Sequence, residues 1–561
     1  MKKSLNKLLS ITFCLIWIVI LFLDYWHYHP SYAFSLTHFR YWDTIFIFFL
    51  IGAATFFGIS RFHHHNISRF LLNGIGVFVL FLLLSGIIIW SHHFKILEKS
   101  IDATRGLVYL GKIVLSTSAS YFIFMTCYAL GALFFKKLFS SFFDKGENIV
   151  LKLALGITLI TVLLMLLGFF QLLKLYFILP IFLLILGLGW RQVLEFIQVT
   201  LFQKIGKLER LGWVGFSSFF TLLIFISLNF LSNVRPMPFG FDALAIYLNV
   251  PNLIGQYEGL VEGYSPYYWS LFVSLGHIIF DKTEVVISLS VFGGILSLFA
   301  MYEIGRKWLS KDYTLLMILI FYSFPLVNYQ SYRDIKTDLG LLFILLTLLI
   351  VFIRWLSLLD TSFSSVSIKE TADKKSKPRL KPKSVKKVTK SVTKVIEKED
   401  TNSDSNGLLA NYISEPTQLI VLLGILSGMA LGVKLTGLIA IFSTLGAFAY
   451  VFTGKKGFLI SFILIFFIVL VGGLDTSLRP YHLGTSYLMW GSLMIGLAGL
   501  VYLGIKQREE LIKLIRYAFI YVLFTGLVYM PWPIKNYQET GKISVKTITE
   551  GSKVGIPKKF K

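Results

Sequence analysis

Along most of this chain the apolar residues are not spaced at strand or surface-helix intervals but run together. Uninterrupted apolar stretches of about 17–22 residues recur, each long enough as a helix to cross ~30 Å of hydrocarbon. They fall at 8–24, 43–60, 70–90, 114–135, 149–170, 174–190 and 214–233. After a polar break they resume at 284–303, 314–330, 338–356, 417–433, 436–453, 457–473, 484–503 and 514–531. The pattern predicts an all-α polytopic membrane protein with about 15 transmembrane helices. A transmembrane β-barrel would need alternating segments of about ten residues, and the sequence has none.

One further apolar segment, 266–280 (PYYWSLFVSLGHIIF), is short for a span and carries Tyr267, Tyr268 and Trp269 at its start and His277 near its end. Basic residues decide where it lies, because they collect on the cytoplasmic side. Lys2, Lys3 and Lys7 put the N-terminus inside, and alternation then puts Arg61 to Arg69, Lys136–Lys137 and Arg191 to Arg210 inside as well. The seventh span exits to the outer face. If 266–280 crossed, Arg306 and Lys307 would lie outside. If it lies at the outer interface, both they and the Lys-rich segment that follows fall inside, so the interfacial placement is the expectation. The same count leaves the Lys-rich tail after Pro531 external.

Composition agrees with the pattern. Of 561 residues, 55% are hydrophobic and 15% charged, with 53 Phe, and the mean hydropathy is +0.72. A soluble domain carries about 25% charged residues, so a soluble enzyme and a disordered chain are both excluded. The net charge of +24 would suggest nucleic acid in a soluble protein, but here much of the excess lies in loops between spans, where it sets orientation. Nucleic acid is therefore not an expected partner, and membrane lipids are. Cys14 and Cys127 both sit in apolar runs and read as buried thiols. The N-terminal stretch begins like a signal peptide, yet it is long and no small-residue cleavage site follows, so it reads as a first span.

Four regions follow. Residues 1–213 form an N-terminal membrane extension of about six helices. Residues 214–356 form a core with an outer loop at 234–283. Residues 357–416 are Lys-rich and poor in large apolar residues, the composition of a disordered cytoplasmic linker or of a segment binding anionic head groups. Residues 417–561 supply the last helices and the tail.

Ionisable groups are costly in so apolar a chain, and their positions narrow the candidate chemistry. Asp242 follows a Pro/Gly turn and opens a helical stretch whose apolar face is Ala243, Ile246, Tyr247 and Val250, with Glu258 and Glu262 beyond it. It reads as an N-cap or as a reactive carboxylate. The turn at 328–346 concentrates Arg333, Asp334, Lys336 and Asp338 beside the bilayer. Cations there suit a lipid-linked phosphate, and a carboxylate there could hold a cation or orient a hydroxyl; an ordinary charged turn would look the same. Lys434 lies between two almost contiguous apolar runs and either snorkels or meets an anion. The loop at 475–484 (DTSLRPYHLG) carries Asp475, Arg479, Tyr481 and His482. No phosphate-binding glycine loop, Cys/His metal spacing or nucleophile elbow is present, and the histidines at 63–65 fall in a cytoplasmic loop.

Several of these segments, taken in order across about 214–545, resemble GT-C type membrane glycosyltransferases, closest to bacterial enzymes of the protein-mannosyltransferase-like clan. FDALAIYLNVPNLI resembles the opening of their first outer loop, with an Asp after a span and a Tyr in a membrane-parallel helix. YSPYYWSLF resembles the interfacial helix of that loop. GRKWLSKDYTLLMILIFYSFPLVNYQSYRDIKTDLGLLF, GILSGMALGVKLTGL and PWPIKNYQETGK are similar to later elements of the same set. Two positions differ from the family pattern: Tyr247 is followed by Leu248 rather than His, and Asp242 by Ala243 rather than Glu.

The resemblance implies a GT-C-like fold and transfer of a sugar from a polyprenyl-phosphate donor, by inverting single displacement, to a glycan, lipid or protein acceptor at the outer face of the cytoplasmic membrane. It makes Asp242 the catalytic base. Tyr247, Arg333, Asp334, Asp338, Lys434, Arg479 and His482 become substrate-binding candidates, with Arg333 or Lys434 on the departing phosphate. The motifs specify no cofactor and leave a divalent cation open at the carboxylates. Two other classes remain: a transporter or flippase of lipid-linked glycans, and a non-catalytic assembly factor. A transporter would more often carry mid-span charges and internal repeats; the former are few here and no clear repeat is seen.

Overall fold

The computed structural model describes residues 74–96, 103–139, 143–202, 211–233, 243–262, 266–324, 327, 336–373, 414–470 and 485–541. These residues form helices and no strand. Among them eight helices are long and apolar enough to cross a membrane, or nine if one sharply bent pair counts as a span. The protein is thus an α-helical membrane protein. The predicted spans at 8–24 and 43–60 lie outside the described residues.

The chain divides into two compact units. The first comprises residues 1–107, 204–229 and 311–329. It contains α1 (Gly74–Ile96), most of α6 (Trp213–Asn233) and α11 (Lys311–Ser323). Asp312 at the start of α11 accepts the Gly212 backbone N–H at the start of α6, at 3.0 and 3.1 Å to its two oxygens. At their far ends Asn229 donates to the Tyr322 hydroxyl at 2.7 Å. Start meets start and end meets end, so these two helices run parallel, as two spans that both exit outward should.

The second unit holds most of α2 (Ala103–Leu138), with α3 (Lys145–Phe169), α4 (Leu175–Leu188) and α5 (Trp190–Ile197). Next come α7 (Asn249–Tyr257), α8 (Tyr268–Val273), α9 (Leu275–Phe280) and α10 (Thr283–Gly305). Then follow α12 (Asp338–Asp373), α13 (Glu415–Val433), α14 (Leu438–Val469), α15 (Thr485–Lys506), α16 (Arg508–Tyr529) and α17 (Pro531–Thr540).

Its centre is α13, whose side chains from Thr417 to Val433 are almost all buried. The glycines of α13 bring α16 into backbone contact: a Cβ on Gly424 would lie 2.7 Å from the Tyr521 carbonyl oxygen, and one on Gly428 would lie 2.6 Å from that of Thr525. Tyr521 donates to Ser427 at 2.6 Å across the same seam. Close approach through small residues and an interhelical hydroxyl bond is how helices associate where lipid offers no hydrophobic drive.

The charged ends of the helices sort into two faces. Arg306 pairs with Asp144 at 3.2 Å and with Glu303 at 2.8 Å, and Lys307 pairs with Glu147. These contacts hold the end of α10 beside the start of α3, the face assigned to the cytoplasm by charge. At the opposite ends Lys112 pairs with Glu284 and Lys174 with Glu258, each at 2.8 Å. The interruption at 189 is sharp: α4 and the helix from Trp190 to Phe202 meet at 82°. The basic stretch after α4 therefore begins on a helix turned away from the span.

Two expectations change. The spans expected at 436–453 and 457–473 are one continuous helical assignment, but Gly454 within it adopts φ 67°. A straight helix would put residues 446 and 458 about 18 Å apart, yet a Cβ on Gly446 would sit 3.5 Å from the Phe458 ring. The chain reverses at Gly454, which keeps both arms as a hairpin. The second change concerns 266–280. It is too short to span, as expected, but it does not lie on an outer surface. Every side chain from Tyr268 to Val273 is buried, as are Leu275, Gly276 and Ile278. The reason is its composition: apolar residues surround the helix on all sides, and a helix apolar all round seeks enclosure rather than an interface.

Candidate functional site

Lys434 sits where α13 ends. Its backbone is extended, with φ −161° and ψ 144°, and one short helical turn at Leu435–Gly437 intervenes before α14 begins. A Cβ on Gly437 would strike the Ala430 carbonyl, so the tightness of this break requires glycine there. The break frees the Lys434 side chain to reach Asp338, the first residue of α12, with Nζ 2.7 Å from Oδ1. Two residues 96 positions apart, nominated separately from the sequence, are thus joined. The pair is half-buried, with 36% of the lysine side chain and 30% of the aspartate exposed. An ion pair that open contributes only about 0–1 kcal/mol, so another anion can compete for Lys434 at little cost.

Three consecutive aromatic residues hold the surroundings of this pair. Trp269 packs on Gly340, two residues into α12 from Asp338, and on Gly293 in α10. Tyr268 packs on Gly432, two residues before Lys434, and its hydroxyl donates to the Val528 carbonyl at 3.0 Å. Tyr267 packs edge-on against Trp532 with ring centroids 4.8 Å apart, and its hydroxyl donates to the Val261 carbonyl at 3.0 Å. Each glycine is a notch for a ring, and the two notches flank the two members of the ion pair. Because Gly340 lies beside Gly293, well down α10 from its start at Thr283, the pair is recessed from that end of the bundle.

A Cβ on Gly340 would overlap the Trp269 ring, and one on Gly432 the Tyr268 ring. Gly340→Ala and Gly432→Ala are each expected to cost about 1–3 kcal/mol, the usual penalty of overpacking. Trp269→Leu should recover part of the loss in Gly340→Ala but none in Gly432→Ala. Thermal unfolding in detergent of the five variants, three single and two double, checks this; strictly additive effects of Gly340→Ala and Trp269→Leu would mean that the Gly340 notch does not receive the Trp269 ring.

A second cluster escaped the sequence reading. Lys535 in α17 is 2% exposed, paired with Glu539 at 2.7 Å, and lies 4.6 Å from the centroid of Trp532 and 5.3 Å from that of Tyr267. Burial pushes its pKa down, while Glu539 and then Glu262 pull it up. The Lys-Asn pair of PWPIKNYQETGK was visible as a motif, but no sequence signal marked Lys535 as enclosed.

Of the other candidates, Tyr247 is half-buried in a wide helical turn, Ala243–Leu248, leading into α7. Glu258 ends α7 in a left-handed conformation and holds Lys174, a structural duty. Asp242, Arg333, Asp334, Arg479 and His482 lie outside the described residues. Among the described residues no three His, Cys, Asp or Glu side chains gather as a cation site would need. Cys127 is a buried free thiol, as its apolar setting implies.

No protein-family model, curated protein or solved structure matches the chain.

Proposed function

We propose that the protein is a membrane glycosyltransferase that moves a sugar from a polyprenyl-phosphate donor to an acceptor hydroxyl at the outer face of the cytoplasmic membrane. The observation that supports this reading most is the Lys434–Asp338 pair: a half-exposed cation and carboxylate from separate spans, recessed at one end of an apolar bundle. A lipid-borne donor requires a phosphate-accepting cation at the membrane boundary, and a pair this open can yield its lysine to that phosphate.

In the reaction the acceptor oxygen forms a bond to the anomeric carbon as the bond from that carbon to the phosphate oxygen breaks. The Asp242 carboxylate takes the acceptor proton. The leaving phosphate takes the electron pair, and Lys434, with Arg333, stabilises the charge that develops on it. A single displacement inverts the anomeric configuration. Asp338 orients Lys434 until the donor arrives. The test is incubation of the reconstituted protein with a panel of labelled polyprenyl-phosphate sugars and cell-envelope extract as acceptor, read as label passing from donor to acceptor. Transfer from at least one donor supports the reading, and none from any counts against it.

A further inference from the structure

The hairpin formed by α14 does not close along its length. Its two arms, from Phe442 to Val451 and from Phe458 to Ile465, meet α12 at Phe352 and Leu356 around a cavity of 730 Å³. The walls are almost wholly apolar; Ser443 is the one hydroxyl-bearing side chain that is not an aromatic. Toward the turn the Tyr450 and Phe458 rings meet edge-on, 6.3 Å apart. The longer arm, Phe442 to Val451, rises about 14 Å, close to the ~15 Å that one leaflet contributes to the hydrocarbon core.

The turn that ends this groove carries charge. Gly454, in its left-handed conformation, is followed by Lys455 and Lys456, both exposed. Lys456 donates to the Tyr502 hydroxyl at 2.8 Å, which holds its ammonium near the turn. The face is identified by α12, whose apolar span runs from Asp338 to Leu359: Trp355, near the Leu359 end of that span, packs on Phe448 and Phe452 with ring centroids 4.9 and 6.0 Å apart. The hairpin turn therefore lies at the end of the bundle that the basic residues assign to the cytoplasm.

We propose that this groove is a binding site for one acyl chain of an anionic phospholipid of the cytoplasmic leaflet, with its phosphate on Lys455 and Lys456. The groove has the depth of a leaflet, apolar walls where the chain runs and two cations where the head group ends. Neutral lipid would fill the groove as well but gain nothing from the lysines. The site is separate from the Lys434–Asp338 pair, which lies at the Asp338 end of the same apolar span, and it does not depend on the transfer reaction.

The test is native mass spectrometry of the full chain, released from nanodiscs of equal phosphatidylglycerol and phosphatidylcholine. The expected result is preferential retention of phosphatidylglycerol by about tenfold to thirtyfold, the scale set by two lysines at a membrane surface. Lys455→Gln with Lys456→Gln should abolish the preference, and Gly446→Leu, which fills the groove, should abolish retention of both lipids. Should Gly446→Leu fail to fold, the lysine variants, altered only at exposed positions, still decide the matter. Equal retention of the two lipids by the unaltered protein, or an unchanged preference in the lysine double variant, overturns the proposal. So does displacement of phosphatidylglycerol by added polyprenyl phosphate at equal concentration, which would make the groove part of a donor path.

Discussion

Asp242→Asn is expected to lower turnover by roughly 10²–10⁴-fold, the usual contribution of a positioned general base, while leaving the fold intact. The substitution discriminates because asparagine caps a helix about as well as aspartate but cannot take a proton at neutral pH. A role confined to capping therefore predicts an active, stable variant. Asp242→Ala would remove cap and base together and distinguish nothing. The measurement is sugar transfer with any accepted donor, alongside thermal unfolding of the same preparation. Unchanged transfer would reduce Asp242 to architecture.

The second large effect concerns stability. Glu539→Gln is expected to cost about 2–4 kcal/mol, because it leaves the enclosed Lys535 without its ion-pair partner; a fully buried pair would cost about 3–5 when broken. The lower figure applies because Glu262 still acts on the lysine and 23% of the Glu539 side chain reaches solvent. Replacing both members, Lys535→Met with Glu539→Leu, should cost less than Glu539→Gln alone, since the buried ammonium is then gone and only the half-buried Glu262 loses a cation. The Trp532 and Tyr267 rings that flank Lys535 accept a methionine side chain as readily as an ammonium stem. Unfolding monitored in detergent gives the comparison. A double variant as unstable as Glu539→Gln would mean the ion pair itself, rather than the avoidance of an orphaned charge, holds α17 in place.

The parts of this molecule legible in its sequence are those dictated by lipid. A span must be an unbroken apolar run, so α3, α10 and α13 appear within about four residues of where hydropathy alone puts them. α12 begins where expected, at Asp338, but its helix continues to Asp373, into the segment whose composition read as a disordered linker. The value of Lys434 and Asp338 was also legible, because charge in so apolar a chain is costly and rarely idle. That they touch was not legible from spacing, since 96 residues separate them.

What stayed hidden depends on partners. Apolar composition kept 266–280 from being read as a polar loop, and its length kept it from being read as a span. Yet an apolar helix facing lipid and one enclosed by protein have the same composition, and only Gly340, Gly432 and Gly293, distant in sequence, make room for Trp269 and Tyr268. The same holds for Lys535. Lysine is almost never fully buried unless paired, and the rings and carboxylates that enclose this one come from 262–267 and 532–539. Between the spans expected at 436–453 and 457–473 the structure makes the turn at a single glycine with positive φ, Gly454.

Sugar that leaves a lipid phosphate on this protein must yield two products together, and the most direct measurement follows both at once. Proteoliposomes containing the full chain are given polyprenyl-phosphate sugars labelled in the sugar and in the phosphate, with extracts of cell envelope as acceptor. Polyprenyl phosphate should be released in step with sugar transfer, and the new glycosidic bond should carry the opposite anomeric configuration from the donor. Lys434→Gln and Asp242→Asn should each suppress both products together. Release of neither product with any donor, or movement of intact labelled donor across the vesicle membrane in their place, would contradict the account.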